Sequence, residues 1–246
     1  IPNNIIAITG TNGKSSIADF YYQILDLNNK KVASIGTLGI KTRKYKKDLS
    51  NTTIDPIQLS KILNKLKKQN INDVIMEASS HGLSQNRLDG LLFNTGIFTN
   101  LSQDHLDYHK NTKNYLKAKL YLFKKLIKKK GNIITDEQIP EFKKIKDIAT
   151  NKNLNLFSLF DKKNDFQFLS HQYEGESQLL RIKYKNSIHK IKLNLIGKVQ
   201  FKNVLMAVIA SIKSSVNIED ILNVIPKIKS VEGRFERVGR IKNNSK

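Results

Sequence analysis

Apolar residues along the chain occur in short continuous runs, separated by longer segments with helical periodicity. The runs NIIAIT, KVASIGTLGI, DVIMEASS and NTGIFTNLS are continuous rather than alternating, which is typical of strands buried on both faces of a sheet. Between them, SSIADFYYQILDLNN and IDPIQLSKILNKLKKQN have the spacing of helices, the second with Asp55 and Pro56 at its start. This order predicts an α/β fold, a mostly parallel sheet with helices on both faces.

The pattern changes in the second half of the chain. Residues 113–130 predict a long lysine-rich helix, and GNIITD after them predicts another strand. Apolar and polar residues then alternate with period two over residues 165–196, with turn residues between the runs. We therefore expect a small antiparallel sheet at 165–196, followed by helices in FKNVLMAVIASIKS and IEDILNVIPKIKS.

Length and composition exclude several classes of protein. The 246 residues suffice for one substantial α/β domain, and the absence of cysteine excludes thiolate catalysis and cysteine-ligated metals. No apolar run approaches the roughly 18 to 20 residues of a membrane span, and the apolar start lacks the basic leader of a signal peptide. We expect a cytoplasmic protein, by default a monomer.

The formal net charge of +22 raises the alternative of a nucleic-acid binder, whose affinity would fall steeply with salt. The charge comes mostly from lysines dispersed along the chain, whereas a nucleic-acid surface favours clustered arginines with aromatic residues between them. We therefore expect no nucleic-acid partner, and note that a basic protein suits an anionic substrate.

The stretch AITGTNGKSS, residues 7–16, lies between the first predicted strand and the first predicted helix. A glycine loop there directs backbone N–H groups and the positive end of the helix dipole toward an anion. Lys14 adds a charge for phosphates and Ser15 a hydroxyl for Mg2+. The usual pattern has a further glycine where this chain has Ile8, so the loop is a shortened phosphate-binding loop.

Two more groups of polar residues follow predicted strands. Glu77 is at the carboxyl end of a strand, where open α/β sheets bind ligands, and its carboxylate suits the same Mg2+ as Ser15. The next strand is followed by acidic and imidazole side chains at Asp104, His105, Asp107 and His109. Such a cluster is typical of a metal or anion site, although a hydrogen-bonded histidine near a helix start is an equal alternative for His105.

Three stretches together, GTNGKSS, EASSHGLSQNRLDG and TNLSQDHLDYH with YLKAKLYLF, resemble the central ATP-binding domain of the Mur ligase family, and most closely its tripeptide synthetases. The resemblance covers essentially the whole chain, because NLIGKVQFKNVLMAVIA and VEGRFERV resemble the adenine-side segment and the exit linker of the family. Three departures remove no catalytic group: Ser15 replaces the usual threonine, Gln200 replaces an asparagine, and EGR replaces PGR.

The resemblance implies an ATP-dependent amide ligase of the bacterial cytoplasm, acting in peptidoglycan synthesis. In such enzymes the γ-phosphate of ATP passes to a substrate carboxylate, and an amine then attacks the acyl phosphate. The implied partners are UDP-N-acetylmuramoyl-L-alanyl-D-glutamate and a diamino acid, either meso-diaminopimelate or L-lysine. The implied cofactors are ATP, Mg2+ at two sites, and CO2 as a lysine carbamate.

The family also implies residue roles. The catalytic residues would be Lys14, Glu77, His105 and carbamylated Lys119. One Mg2+ would be held by Ser15 and Glu77, and the second by His105 and the carbamate of Lys119. The ATP-binding residues would be Gly10, Thr11, Asn12, Gly13, Lys14, Ser15, Ser16, Asn203 and Arg234. Without the resemblance, Lys119 would be interpreted as one more surface lysine on a helix.

Substrate contacts are implied in two segments, and comprise Asn51, Thr52, Thr53, Ser79, Gln85 and Arg87. The guanidinium of Arg87 can bind a carboxylate through two hydrogen bonds. An alternative for Thr52 and Thr53 is that their hydroxyls cap the turn before Pro56.

The domain organisation of the family sets a further expectation. Its enzymes have three domains, so residues 1–232 would be the central domain and residues 233–246 the linker to a missing C-terminal domain, with the N-terminal UDP-binding domain missing as well. Such a piece should bind nucleotide and ligate weakly or not at all. The diamino acid is unspecified, because its pocket would lie in the missing C-terminal domain.

Two alternatives remain open, and only the second is from a different class. One is another amide ligase of the superfamily, such as folylpolyglutamate synthetase, which we would not expect to combine NTTIDP with SSHGLSQNRLDG. The other is a non-catalytic nucleotide-binding module, which would be free to lose Lys14, Glu77, His105 and Lys119.

Overall fold

The computed structural model describes residues 1–161, 165–175, 177–195 and 197–231. The elements in chain order are β1 (Asn4–Thr9), α1 (Lys14–Leu27), β2 (Val32–Gly36), β3 (Gly39–Lys41), β4 (Lys46–Lys47), α2 (Pro56–Lys68), β5 (Asp73–Glu77), α3 (Ser80–Ser84), β6 (Phe93–Phe98), α4 (Leu106–His109), α5 (Thr112–Tyr121), β7 (Ile127–Thr135), α6 (Phe142–Asn151), β8 (Asn155–Ser158), β9 (Phe166–Glu174), β10 (Ser177–Tyr184), β11 (Ser187–Leu193), α7 (Lys198–Lys213) and α8 (Ile218–Val224). A π-helical turn, Leu122–Leu126, extends α5, and a 3-10 turn, Ile225–Lys227, follows α8.

The main sheet has eight strands in the order β4-β3-β2-β5-β1-β6-β7-β8. The six strands from β2 to β8 in that order run parallel, and β3 and β4 add an antiparallel edge. In the register of the central strands, Ile8 of β1 is opposite Glu77 of β5, and Thr9 is opposite Phe98 of β6. The residues that follow β1, β5 and β6 therefore meet at one edge of the sheet.

The sheet is buried on both faces, as the continuous apolar runs predict. Ile6 and Ile8 of β1 pack in one core with α1, α7 and α8, whereas Ile5 and Ala7 pack in the other with α2 and α5. Successive side chains of a strand point to opposite faces, so a run of apolar residues is what such a strand requires. The predicted fold class is confirmed.

The small antiparallel sheet predicted for residues 165–196 is also confirmed. Its three strands have the order β11-β10-β9, and β10 pairs with both neighbours. Leu180 and Ile182 of β10 belong to the same core as α7, so the small sheet is packed onto the main domain. Among the residues that the structure describes, every helix is too short or too polar to cross a lipid bilayer.

Two predicted elements are wrong in extent. The helix predicted at 113–130 ends at Leu126, and β7 starts at Ile127, which pairs with Phe93. Because lysine favours helices, the sequence contains no local signal for the end of this helix. The helix ends where the chain begins to pair with β6. KVASIGTLGI forms two strands, β2 and β3, rather than one, with a turn at residues 37 and 38.

Candidate functional site

The loop between β1 and α1 requires glycine at both of its glycine positions. Gly10 and Gly13 have φ of +141° and +89°, in the region that disfavours other residues. A Cβ on Gly10 would collide with Oγ1 of Thr99, and a Cβ on Gly13 would lie 2.8 Å from Oδ1 of Asn203. The residue at the start of α1, Gly13, has no side chain to cap the first turn. A helix start of this kind can bind phosphate oxygens.

Two residues directly after β6 hold the loop in place. The N–H of Thr11 donates to the carbonyl of Asn100 at 2.9 Å, and the N–H of Asn12 donates to Asn100 Oδ1 at 3.0 Å. The hydroxyl of Thr99 donates to the carbonyl of Asn12 at 2.6 Å. Sequence reasoning missed Thr99 and Asn100, although their place at the carboxyl end of a parallel strand was a usable signal.

A cavity of about 130 Å³ lies at this edge of the sheet, beside the loop. It is lined by Thr11, Asn12, Gly13, Lys14, Ser15, Ser16, Thr37, Thr52, Glu77, Ser79 and His105. The structure thus brings together three separately predicted segments, the loop, Glu77 and His105. Nζ of Lys14 donates to the carbonyls of Gly10 and Thr11 at 3.0 and 2.8 Å, which keeps the amine at the loop.

Glu77 is buried at the wall of the cavity, with 2% of its surface exposed. Its carboxylate accepts two hydrogen bonds from Thr37, at 2.9 Å from the backbone N–H to Oε1 and at 3.1 Å from the hydroxyl to Oε2. Sequence reasoning missed Thr37, because its distance from Glu77 along the chain is 40 residues. An oriented carboxylate of this kind is suited to a divalent cation.

Lys119 is buried directly behind the loop, with 1% of its surface exposed. Its Nζ donates to the carbonyl of Gly10 at 2.8 Å and lies 4.2 Å from the centre of the Tyr115 ring. Burial and the charge of Lys14 lower the pKa of Lys119 to about 6, against a smaller opposite effect of Asp104. The amine is therefore largely neutral at pH 7, and the interpretation of Lys119 as a surface lysine is wrong.

His105 precedes α4 in a left-handed conformation with φ of +53°, and its side chain is half exposed. Its Nε2 is 3.5 Å from Oδ2 of Asp104, and its ring lies 4.9 Å from that of His81. The rings of Tyr108 and His109 also contact His81. Burial is the largest cause that lowers the pKa of His81 and of His109, and the neighbouring imidazoles act in the same direction.

The predicted substrate residues differ in their exposure. Thr52 lines the cavity, and its Oγ1 is 3.1 Å from Oγ1 of Thr37. Thr53 is buried, and its hydroxyl donates to the carbonyl of Glu77 at 3.0 Å and accepts from the N–H of Ser79 at 2.9 Å. Nη1 of Arg87 donates to the carbonyl of Thr53 at 2.7 Å.

The remaining predicted contacts lie around this group. Ser79 lines the cavity and caps α3, because its Oγ accepts from the N–H of Gly82 at 3.0 Å. Gln85 is exposed, with Nε2 at 3.3 Å from the hydroxyl of Tyr108. Asn51 is exposed and does not line the cavity.

On the nucleotide side, Asn203 of α7 is buried beside Gly13, and its Nδ2 donates to Oε1 of Gln200 at 3.2 Å. Arg234 and the predicted linker at 233–246 lie outside the described residues.

The donor atoms around the cavity fit Mg2+ better than a transition metal. Within the described residues, no three His, Asp or Glu side chains are grouped so that they could hold a metal ion. Mg2+ prefers oxygen ligands and takes few from the protein, since it keeps several waters and binds substrate phosphates. The hydroxyl of Ser15 and the carboxylate of Glu77, which line the same cavity, meet that requirement.

Comparisons with known proteins identify relatives of this chain. The UDP-N-acetylmuramoyl-L-alanyl-D-glutamate--2,6-diaminopimelate ligase of Rickettsia bellii is 37% identical over 243 residues, covering 97% of this chain and 51% of the relative. The ligase of the same name from Rickettsia montanensis is 35% identical over 241 residues, covering 96% of this chain and 50% of the relative. The chain thus spans about half the length of these relatives.

A solved structure of a UDP-N-acetylmuramoyl-L-alanyl-D-glutamate--2,6-diaminopimelate ligase has a TM-score of 0.84 at 27% identity, covering 95% of this chain and 48% of that one. The sequence profile of the Mur ligase middle domain matches residues 8–211, which contain the phosphate-binding loop, Glu77, His105 and Lys119. The chain belongs to the Mur ligase middle domain family.

Proposed function

We propose that the chain is the ATP-binding central domain of a bacterial, cytoplasmic ligase of peptidoglycan synthesis. The ligase adds a diamino acid to UDP-N-acetylmuramoyl-L-alanyl-D-glutamate. One observation carries the proposal: Lys14, Glu77 and His105 surround a single cavity, and the buried amine of Lys119 lies behind its loop. The names of the two Rickettsia relatives support the substrate class.

The proposed domain organisation is the one that the family resemblance implies. Residues 1–232 form the central domain, and residues 233–246 lead to a C-terminal domain, while a UDP-binding domain precedes the chain. Relatives of about twice the length of this chain support this organisation. The pocket for the diamino acid lies in the C-terminal domain, and both meso-diaminopimelate and L-lysine are candidates.

In the proposed complex, ATP binds with its phosphates in the loop of residues 10–16, beside Asn203 and Arg234. Backbone N–H groups at the start of α1 and the amine of Lys14 bind phosphate oxygens, and Lys14 contacts the transferred group. Ser15 and Glu77 would hold a Mg2+ ion, which would supply positive charge to the phosphates. The site needs no nucleophile of its own, because phosphoryl transfer is catalysed mainly by positioning and charge neutralisation.

The chemistry then consists of two transfers. A carboxylate oxygen of the substrate D-glutamate attacks the γ-phosphorus of ATP, the bond from this phosphorus to the β–γ bridging oxygen breaks, and ADP leaves. The amine of the diamino acid attacks the acyl carbon, the carbon–oxygen bond to phosphate breaks, and the nitrogen loses a proton. The products are the amide, ADP and inorganic phosphate.

Lys119 and His105 would hold a second Mg2+ once Lys119 is carbamylated. A neutral amine has the lone pair that attacks CO2, giving a carbamate and one proton, and the pKa of Lys119 makes the amine neutral. The carbamate nitrogen keeps one hydrogen, so its bond to the carbonyl of Gly10 can persist. The residues present therefore fit the modification.

The muramoyl peptide is proposed to bind beside the cavity, along Asn51, Thr52, Thr53, Ser79, Gln85 and Arg87. Thr52 and Ser79 already line the cavity, which supports direct contact. Thr53 is buried, which supports a role in holding Ser79 and Arg87.

The test is mass spectrometry of the products of the full-length protein. The protein is given ATP, Mg2+, UDP-N-acetylmuramoyl-L-alanyl-D-glutamate and an equal mixture of meso-diaminopimelate and L-lysine. We expect a tripeptide product, whose mass identifies the amino acid. Glutamylation of a folate without any tripeptide product would contradict the proposal.

A further inference from the structure

The carboxylate of Glu77 takes its orientation from one residue of the β2–β3 turn. Thr37 donates its N–H to one carboxylate oxygen and its hydroxyl to the other, at 2.9 and 3.1 Å. Gly36 leaves no room on the same side, because a Cβ there would collide with Oε1 of Glu77. Two hydrogen-bond donors of Thr37 and close contact with Gly36 therefore fix the position of the carboxylate.

The hydrogen bonds that join Thr52, Thr37 and Glu77 have one direction, because each hydroxyl group has a single proton to donate. An ionised carboxylate only accepts, so the single hydroxyl proton of Thr37 is directed to Oε2 of Glu77. In the 3.1 Å contact between the hydroxyls of Thr37 and Thr52, Thr37 must then accept and Thr52 must donate. The chain runs from Thr52 through Thr37 to Glu77.

The segment that contains Thr52 contacts Glu77 at two points. The carboxylate is reached through Thr37, and the backbone carbonyl of Glu77 accepts from the hydroxyl of Thr53. Thr53 is buried, whereas Thr52 faces the cavity. A ligand that displaces the hydroxyl of Thr52 would therefore remove a donor from the hydroxyl of Thr37, and so weaken the bond that Thr37 donates to the carboxylate.

We propose that Thr37 is a positioning residue, which orients the carboxylate of Glu77 for the divalent cation and links it through Thr52 to the segment that binds the muramoyl peptide. The inference rests on the proposed function. Residues that orient a metal ligand typically change metal affinity 10- to 100-fold when they are removed. Loss of the Thr37 hydroxyl should therefore weaken cation binding more than turnover at saturating cation.

The experiment compares Thr37→Val, which keeps the shape and loses the hydroxyl, with Thr37→Ser, which keeps the hydroxyl. Mn2+ binding to the full-length protein is measured by electron paramagnetic resonance with a non-hydrolysable ATP analogue, and turnover is measured against Mg2+ concentration. We expect Thr37→Val to bind Mn2+ about 10- to 100-fold more weakly, with Thr37→Ser within about threefold of wild type. Thr52→Val should raise the KM for the muramoyl substrate.

Thr42→Val is the control for loss of a threonine hydroxyl away from the site. Thr42 directly follows β3, and among the described residues its hydroxyl bonds to the backbone of Tyr45 alone. This variant should bind Mn2+ like wild type. If Thr37→Val does not fold, Thr37→Ala takes its place.

The outcomes separate the inference from the proposed function. If folded Thr37→Val binds Mn2+ with wild-type affinity, the inference is overturned and the proposed function is not affected. Equal weakening in Thr37→Val and Thr37→Ser would also overturn it, because the hydroxyl would then be irrelevant. Wild-type protein that binds no Mn2+ with the nucleotide would overturn the proposed function, and the inference with it.

Discussion

At the scale of single residues, the burial of Lys119 places an amine where an ammonium ion is unfavourable. Its pKa falls from 10.5 in the unfolded chain to about 6, chiefly through burial. One pKa unit corresponds to about 1.4 kcal/mol, so holding the amine neutral at pH 7 lowers the free energy of unfolding by up to about 5 kcal/mol. This lowering of the free energy of unfolding has its full size below pH 6 and decreases as the pH rises toward 10.5.

Lys119→Met should therefore stabilise the unmodified protein. Without added CO2 or Mg2+, we expect the free energy of unfolding at pH 7 to rise by about 3 kcal/mol, after loss of the bond to Gly10. The gain should be smaller by roughly 3 kcal/mol at pH 9, where the unfolded amine is closer to neutral. Urea unfolding at both pH values measures this.

Lys117→Met serves as the control, because Lys117 is an exposed lysine of the same helix. Lys117→Met should change the free energy of unfolding only slightly at both pH values. A gain in Lys119→Met that is equal at pH 7 and pH 9 would contradict a neutral buried amine.

Lys119→Ala should also abolish ligation, because no carbamate can form. A carboxylate supplied in solution, such as acetate, should partly restore turnover by providing the missing anion near His105. Product formation is measured against acetate concentration, with chloride at the same ionic strength as the comparison. Turnover of Lys119→Ala at the wild-type rate would exclude the assigned role.

Lys14→Ala should lose nearly all ligation with the fold intact. Removing one preorganised charge from a transferring group typically lowers turnover by about 100- to 1,000-fold. Lys61→Ala, at an exposed position of α2, is the control for lowered net charge. Single-turnover rates and circular dichroism together test this, and unchanged turnover in folded Lys14→Ala would refute it.

At the scale of elements, the turn from β1 into α1 combines a backbone requirement with a steric one. Gly13 and Gly90 have nearly equal φ, +89° and +87°, but only a Cβ at Gly13 would meet a neighbour, Asn203. The two positions therefore separate backbone strain from crowding of the nucleotide site.

We expect Gly13→Ala and Gly90→Ala each to lower the free energy of unfolding by about 1 to 2 kcal/mol, because both place alanine at positive φ. Only Gly13→Ala should also weaken ATP binding, by roughly tenfold or more, because it displaces Asn203. Isothermal titration with ATP and Mg2+ measures the difference. Equal ATP affinity in the two variants would show that Asn203 does not depend on this close approach.

Elements with local signals could be predicted from the sequence. Asp55 accepts hydrogen bonds from the N–H groups of Ile57 and Gln58, as its position before Pro56 indicates for the start of a helix. The end of α5 could not be predicted, because lysines continue the helical pattern and β-pairing of Ile127 with Phe93 overrides it.

At the scale of the whole molecule, the parallel sheet explains which residues of the site could be predicted from the sequence. The loop, Glu77 and His105 each follow a strand, and parallel strands place their carboxyl ends together. Thr37 could not be found in this way, because KVASIGTLGI predicts one continuous strand, whereas Thr37 lies in the turn between β2 and β3. Tyr115 could not be found either, because it lies on α5 and not after a strand.

The net charge of +22 has consequences at the same scale. A monomer without nucleic-acid partners stays a prediction. A chain with dispersed lysines should bind duplex DNA weakly at physiological salt, and tight binding with a steep salt dependence would favour the nucleic-acid binder.

We propose that this site activates a substrate carboxylate by phosphorylation. The most direct measurement follows oxygen-18 from labelled carboxylates of UDP-N-acetylmuramoyl-L-alanyl-D-glutamate during ligation by the full-length protein. We expect each inorganic phosphate released to carry one labelled oxygen, seen by mass spectrometry. Amide formation with unlabelled phosphate would contradict an acyl phosphate and the roles assigned to the residues around it.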